Sequence, residues 1–147
     1  MATTTTLATD TQLASRLRLA VMRLARVLRQ KAQDSITPSQ LSALVSIERD
    51  GPVTLGELAA LESVQPPTMT RIVAGLEEQG LVQREVDPAD RRISRVRMTS
   101  QARKLLERNR SRKTAYLASR MRELTPEELD VLARAAGLLE RMTEDER

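Results

Sequence analysis

TLGELAALESVQPPTMTRIVAGLEEQGLVQREVDPADRRISRVRMT, residues 54–99, divides into two short helical patterns and two β-like runs. The first helical pattern is Leu55–Glu62. Thr54 stands before it and Glu57 three residues on, the spacing of a capping box, in which each side chain satisfies a backbone N–H of the helix start. Ser63-Val64-Gln65 reads as a turn, with Gln65 pushed towards an extended shape by the proline after it. The second helix starts at Pro66-Pro67, where a missing N–H costs nothing. It runs to Gln79 and stops at Gly80, the residue that takes a left-handed stop most easily. Leu81–Val86 and Ile93–Met98 follow as strands, joined by Asp87-Pro88-Ala89-Asp90-Arg91-Arg92. Helix, short turn, helix and a basic-tipped hairpin make the plan of a winged helix-turn-helix, which exists mainly to grip DNA.

The faces of the second helix fit that plan. Met69, Ile72, Val73 and Leu76 fall at i, i+3, i+4 and i+7, one apolar face for packing. Pro67, Arg71, Ala74 and Glu78 lie opposite, flanked by Thr68 and Thr70, with Gln65 at the tip. That exposed face is small, polar and singly positive near its N-terminus. An arginine there can reach guanine O6/N7, a glutamine can pair with adenine, and a threonine can reach a phosphate or a thymine methyl. The helix N-terminus adds partial positive charge that favours phosphate. In the hairpin, Val82, Val86, Val96 and Met98 are expected to face the core, and Arg95 and Arg97 to face outwards. Arg84 shares the face of Val82 and Val86. It either reaches a phosphate at the wing base or pairs with a carboxylate.

Gly80-Leu81-Val82-Gln83-Arg84, Asp87-Pro88-Ala89-Asp90-Arg91-Arg92 and Val96-Arg97-Met98-Thr99 together resemble the wing signature of the MarR family of bacterial regulators. Pro67-Thr68-Met69-Thr70-Arg71-Ile72-Val73 with Leu76-Glu77 is similar to that family's recognition helix. The resemblance covers nearly all of residues 12–143. It implies a homodimeric transcription factor, read as a repressor, that binds an inverted-repeat site on double-stranded DNA; the lack of a membrane span or signal core separately makes a cytoplasmic chain the expectation. It further implies that Arg92 enters the minor groove while Asp90 orients it, with Arg91 as a second cation. It also implies a small, often aromatic or phenolic, effector in a cleft between the dimer lobe and the DNA lobe. Gln65 and the double proline depart from the family's usual small hydroxyl cap, so the first turn of this helix is expected to be anchored differently. The DNA-contacting set is therefore Gln65, Pro67, Thr68, Thr70, Arg71, Arg84, Asp90, Arg91, Arg92 and Arg95.

Outside this stretch the chain reads as helix. Residues 1–10, rich in threonine, read as a loose tail. Asp10 or Thr11 can cap a long helix to about Gln33, with Leu13, Leu17, Val21, Leu24 and Leu28 on one stripe widened by Leu19, Met22 and Val27. A stripe that wide exceeds what one neighbour covers, so part of it is expected to pack on a second subunit. Thr37-Pro38-Ser39-Gln40 is another capping box, leading a helix buried through Leu41, Leu44, Val45 and Ile47. Val53-Thr54 suits a short strand against the hairpin. In the first motif helix Leu55, Leu58, Ala59 and Leu61 are expected on the core side. Thr99 or Ser100 caps a linking helix over about 100–123, apolar at both ends and polar over Asn109–Lys113. Tyr116, the lone aromatic, reads as core. Thr125-Pro126-Glu127-Glu128 caps a last helix, about 125–143, where Leu129, Leu132, Ala136, Leu139 and Met142 form a helix-on-helix seam. With the resemblance, Leu13, Leu17, Val21, Leu132 and Leu139 become the dimer contacts. The fold class is mainly α with a small β-hairpin wing (α+β). It is a single domain over 11–147, with the winged helix-turn-helix over about 38–99 between the two dimerisation helices.

Composition narrows the function. At 147 residues the chain is one domain's worth. Its net charge is +4 and nearly all its cations are arginine, a mild basicity that fits nucleic acid. It has no cysteine and no histidine, which excludes disulfides and thiol redox sensing and removes the commonest zinc ligands and acid–base groups. No cofactor or metal is expected. No apolar run approaches the ~20 residues of a membrane span, and no signal-peptide pattern opens the chain. One tyrosine is the whole aromatic complement, too little for single-strand binding by base stacking. There is no P-loop or Gly-rich dinucleotide motif and no converging carboxylate pair, so an enzyme is not expected. The competing readings are a winged-helix protein-interaction module, disfavoured because the exposed helix face lacks large apolar anchors, and a low-specificity architectural DNA binder.

Overall fold

A computed structural model describes residues 2–32 and 35–144, with side chains from residue 9. Helix α1 spans Ala2–Ala32, α2 Pro38–Asp50, α3 Leu55–Leu61, α4 Pro66–Glu78, α5 Ser100–Met121 and α6 Pro126–Thr143. The strands are β1 Val53–Thr54, β2 Val82–Val86 and β3 Ser94–Met98. They form one antiparallel sheet in the order β1-β3-β2, with Val53 opposite Val96 and Val82 opposite Met98. The short strand expected at Val53-Thr54 is present and pairs with the hairpin.

Local chemistry fixes most of the boundaries. Capping boxes start three helices: Thr37 with Gln40, Thr54 with Glu57 and Thr125 with Glu128 each make both reciprocal hydrogen bonds. Thr99 is the cap of α5. Its Oγ1 accepts from the Ala102 N–H and donates to the Gly80 carbonyl, tying the start of α5 to the stop of α4. Gly80 takes φ 69°, the left-handed stop foreseen for it.

The core lies between α2, α3, α4, the sheet and the first half of α5. Leu44, Leu58, Met69, Leu76, Leu81 and Leu106 are fully buried there. Side chains of this size each contribute about 1.5–3 kcal/mol when removed from water, so this lobe has its own hydrophobic reason to fold. On α4, Met69, Val73 and Leu76 are buried and Ile72 packs at the edge, which leaves the predicted polar face outwards.

Several expectations change. Residues 2–10 continue α1 rather than forming a separate tail; once a helix is nucleated, each further residue adds a hydrogen bond. Gln33, the expected end of that helix, lies outside the described residues, as do Met1 and residues 145–147. Val86 is 58% exposed, not core, because the outer end of the hairpin runs past the helices that cover Val82, Val96 and Met98. Val45 and Leu61 are also exposed; Ala43 and Ser46 take the buried positions on α2 instead. Asn109, expected in a solvated stretch of α5, is 3% exposed.

Candidate nucleic-acid interface

Helix α4 presents its outer face without a capped first turn. Gln65 precedes it in an extended conformation (φ −70°, ψ 145°) and its side chain makes no capping bond. Pro66 and Pro67 have no N–H, and the N–H groups of Thr68 and Met69 both donate to the Gln65 carbonyl, at 3.0 and 3.2 Å. The helix therefore starts with no spare backbone donor for a phosphate. This corrects the expectation of an anion site there: the dipole remains, but the donors that make such a site effective do not. The double proline substitutes a fixed backbone for a side-chain cap. Contacts from this end have to come from side chains. Gln65, Pro67, Thr70 and Arg71 are exposed and Thr68 is half-buried. Thr70 Oγ1 donates to the Pro66 carbonyl at 3.0 Å, which leaves it only lone pairs to offer. Arg71 makes no ion pair among the described residues.

The wing loop is organised by two aspartates. Asp87 Oδ1 accepts the Ala89 N–H at 2.8 Å, an Asx turn, and Oδ2 pairs with the Arg95 guanidinium. The backbone closes the loop, with Asp87 N–H donating to the Ile93 carbonyl at 2.8 Å and Ile93 N–H to the Asp90 carbonyl at 2.9 Å. Beyond it, Asp90 grips Arg92 at three points. Oδ1 accepts the Arg92 backbone N–H and Nε–H, each at 3.0 Å, and Oδ2 accepts from Nη2 at 3.1 Å. Arg92 keeps 91% of its side chain exposed despite this. The geometry holds a guanidinium outwards at the tip of a loop closed by its own hydrogen bonds. Arg91 beside it is exposed and has no ion-pair partner among the described residues.

The charges respond accordingly. Arg95, and after it the Ala89 N–H, hold the Asp87 carboxyl below the ordinary aspartate range. Arg92 does the same for Asp90, first through its side chain and then through its backbone, and Asp90 in turn raises Arg92. Both carboxylates stay ionised at neutral pH.

Two more of the predicted contact residues are turned to carboxylates, one on α4 and one in the wing loop. Arg84 Nε donates to Glu77 Oε1 at 2.8 Å, pinning β2 to the end of α4, so of its two readings the structure has the carboxylate pair. Arg95 is turned to Asp87, half-buried beside the wing loop rather than facing outwards. Arg97 pairs with Glu85 across the hairpin. Asp87 and Glu77 were not among the predicted site residues. Asp-Pro at a loop start is a turn signal that points to the first; nothing local points to the second, seven residues from Arg84.

The terminal helices carry the other predicted residues. Leu13 is 60% exposed, Val21 45% and Leu132 44%, Leu17 is also exposed, and Leu139 is half-buried. Helix α6 buries none of its residues against this chain. Leu19, Met22, Leu24, Val131, Leu138 and Met142 are exposed as well. An apolar surface on this scale marks an interaction face.

Between α1, α2 and α5 lies a cleft of about 270 Å³. Ile36 and Leu41 give it an apolar wall, and Arg26, Arg29, Asn109 and Lys113 a polar one. Tyr116 does not line it; its ring is half-buried with the Lys31 ammonium 5.4 Å from the centroid. Among the described residues no cluster of carboxylates suits a metal ion, and no helix is long and apolar enough to cross a membrane.

Comparison with known proteins agrees with this geometry. The family model described as MarR family matches residues 36–94, from the start of α2 into the hairpin. An uncharacterised HTH-type transcriptional regulator of Mycobacterium leprae is 41% identical over 131 residues, covering 88% of this chain and 92% of that protein. A Pseudomonas aeruginosa crystal structure described as a candidate transcriptional regulator superposes with a TM-score of 0.84 at 38% identity, covering 92% of this chain and 96% of its own. A MarR family protein from Bacillus stearothermophilus superposes with a TM-score of 0.75 at 28% identity, over 92% of this chain and 96% of its own.

Proposed function

The chain belongs to the MarR family of DNA-binding transcriptional regulators, which are not enzymes, and on that footing we propose that it acts as a homodimeric repressor of an inverted-repeat operator. The observation that carries the reading is the wing tip, where Asp90 holds the exposed Arg92 guanidinium outwards. A preset cation on a narrow loop suits the minor groove, whose negative potential attracts arginine. Helix α4 then lies in the adjacent major groove, with Gln65 and Arg71 positioned for base edges and Thr68 for the backbone. Arg91 adds a phosphate contact.

The uncovered faces of α1 and α6 support a second copy as the partner. Leu13, Leu17, Val21, Leu132 and Leu139 would meet their two-fold equivalents, and a two-fold dimer sets its recognition helices about 34 Å apart, one helical turn of DNA. Bound across two grooves, such a dimer occludes a promoter. Release would follow when a small effector fills the cleft beside Ile36 and Leu41 and favours a lobe spacing that does not match the operator. The Arg26 and Arg29 cations suit an effector with an apolar, aromatic body and an acidic group.

Selection from a random-duplex pool at near-physiological salt tests the reading. An inverted repeat with half-sites one turn apart is expected. No retention of DNA even at low salt refutes it, and salt-sensitive retention without a motif replaces it with a low-specificity architectural binder.

A further inference from the structure

We infer that Glu62 is a positioning residue for DNA readout, setting the place at which the recognition helix begins. Glu62 is the C-cap of α3. A carboxylate is unfavourable at that end of a helix, where the dipole is negative, so its presence there needs another cause. The cause is on α2. Ser42 Oγ donates to Glu62 Oε2 and Ser46 Oγ to Glu62 Oε1, each at 2.5 Å. Ser46 is itself buried, and the two serines, one turn apart, share a face of α2. Both oxygens of one carboxylate are thus held by a helix that does not contain it.

The next residue shows what this grip controls. Ser63 has φ 53°, the one non-glycine in the left-handed region among the described residues. A side chain at such a φ is held there by its surroundings, not by its own preference. Its N–H donates to the Ala60 carbonyl, and the Val64 N–H to the Ala59 carbonyl. Gln65 follows with no side-chain cap, and then α4 begins. Burial of Met69, Val73 and Leu76 fixes the roll of α4 and its distance from the core. Apolar contact is non-directional, so the start of the helix is set by its polar lead-in: the clamp at Glu62, the strained Ser63 and the turn. Helix α3 has seven residues and cannot provide that precision alone.

The inference rests on the reading that α4 contacts bases. Its test uses the full chain, the operator that the wild type selects, and an unrelated duplex. The variants are Glu62→Ala, Glu62→Gln and Ser42→Ala/Ser46→Ala, each compared at a temperature where circular dichroism shows it folded. Glu62→Ala and the double serine variant are expected to lower the ratio of specific to non-specific affinity about tenfold, in the range found for residues that couple to a site without touching its ligand. Non-specific affinity should change by less than about twofold, because that term follows phosphate contacts. Glu62→Gln is expected to recover most of the ratio, since its amide accepts from one serine and donates to the other; it also controls for the lost charge. A merely structural role would lower melting temperature and leave the ratio unmoved. Ratios equal to wild type in folded Glu62→Ala, or in the double serine variant should the former not fold, overturn the inference. A wild type that selects no operator overturns the underlying reading as well, and that result is distinct from a wild type that selects one and variants that keep it.

Discussion

Replacing Arg92 by alanine removes more than one contact, because Asp90 is left behind. Arg92 occupies both oxygens of that carboxylate, and the Arg92 backbone N–H anchors the carboxylate in place. In Arg92→Ala the anchor persists, so an uncompensated negative charge stays at the wing tip facing the DNA. The loss can be worked from counterion release. Each phosphate neutralised adds about 0.9 to the slope of log affinity against log salt, which at 0.15 M is a factor of about five. With the two wings of the proposed dimer, a single wing cation comes to about 30-fold in affinity and about 1.8 in slope. Arg91→Ala, which removes a cation without a partner, is expected to lose about that much and no more. Arg92→Ala should lose severalfold more again, because each exposed Asp90 now repels the phosphates across less than about one Debye length, near 8 Å at this salt.

The decisive comparison is Asp90→Asn/Arg92→Ala. The asparagine Oδ1 still accepts the residue 92 N–H, so the loop keeps its shape while the stray charge goes. The double variant should bind more tightly than Arg92→Ala alone and fall back to the level of Arg91→Ala. Fluorescence anisotropy with the selected operator from 50 to 300 mM salt measures both affinity and slope. Equal affinities for Arg92→Ala and the double variant would refute the view that the pair meets DNA as a unit. An Arg92→Ala protein that binds like wild type would show that the wing does not reach DNA at all.

Arg71→Ala should lower operator affinity and broaden the selected motif at one position per half-site, by about tenfold in discrimination; a weaker but unbroadened motif would assign Arg71 to phosphate. In sedimentation velocity the wild type is expected to be a dimer and Leu132→Asp a monomer that no longer binds the operator while the DNA lobe keeps its core; a wild-type monomer refutes the proposed dimer, and a variant that stays dimeric places the interface elsewhere. The Glu48 carboxylate is lowered below the ordinary glutamate range, first by its hydrogen bond from Arg110. A lowered folded-state pKa stabilises fully above the unfolded value, about 4.3, and that contribution is lost as pH falls through the folded value. Glu48→Gln should therefore lower the melting temperature slightly at neutral pH, by the small contribution of an exposed pair, and converge with wild type below about pH 4, so that its acid limb is shallower; an acid limb as steep as wild type would refute the assignment.

What the sequence made legible is chemistry confined to a few neighbouring residues. Thr37–Gln40, Thr54–Glu57 and Thr125–Glu128 declare helix starts because both partners lie within one turn, and Gly80 declares a stop because its φ is a local matter. The Asp90–Arg92 grip was legible through the resemblance, since its two residues stand only two positions apart. What was not legible depends on which elements lie side by side. Val86 keeps the alternation of a core strand, yet nothing covers it at the outer end of the hairpin. Asn109 sits among charged residues in sequence, yet α5 turns it inwards. Glu77 and Arg84, and Glu62 and Ser46, meet only once helices and sheet have packed. Arginine counts alone also overstated the wing. Arg84, Arg95 and Arg97 look like DNA cations in sequence, and each has a carboxylate as its partner in the fold.

Two further arginines tie the DNA lobe and the terminal helices to one element. Helix α5 runs from the wing base towards the uncovered end of the molecule, and its arginines at 110 and 112 point to different lobes. Arg110 pairs with Glu48 at the end of α2, in the DNA lobe. Arg112 donates through Nη1 to the Ala32 carbonyl at 2.7 Å, capping the last turn of α1, where a cation meets the negative end of the helix dipole. Asn109 and Lys113, on either side of this pair, line the cleft. The same turns of one helix therefore hold both lobes and wall the cavity between them. A ligand that displaces either wall there strains an arginine tie to one lobe or the other. Because α5 is also capped by Thr99, hydrogen-bonded to the stop of α4 at Gly80, a change in its tilt would reach α4. Substituting Arg112 by glutamine, which keeps a donor but shortens the reach, should then alter operator affinity with no change in the face that meets DNA. Equal operator affinity in Arg112→Gln and wild type would argue against α5 as the coupling element.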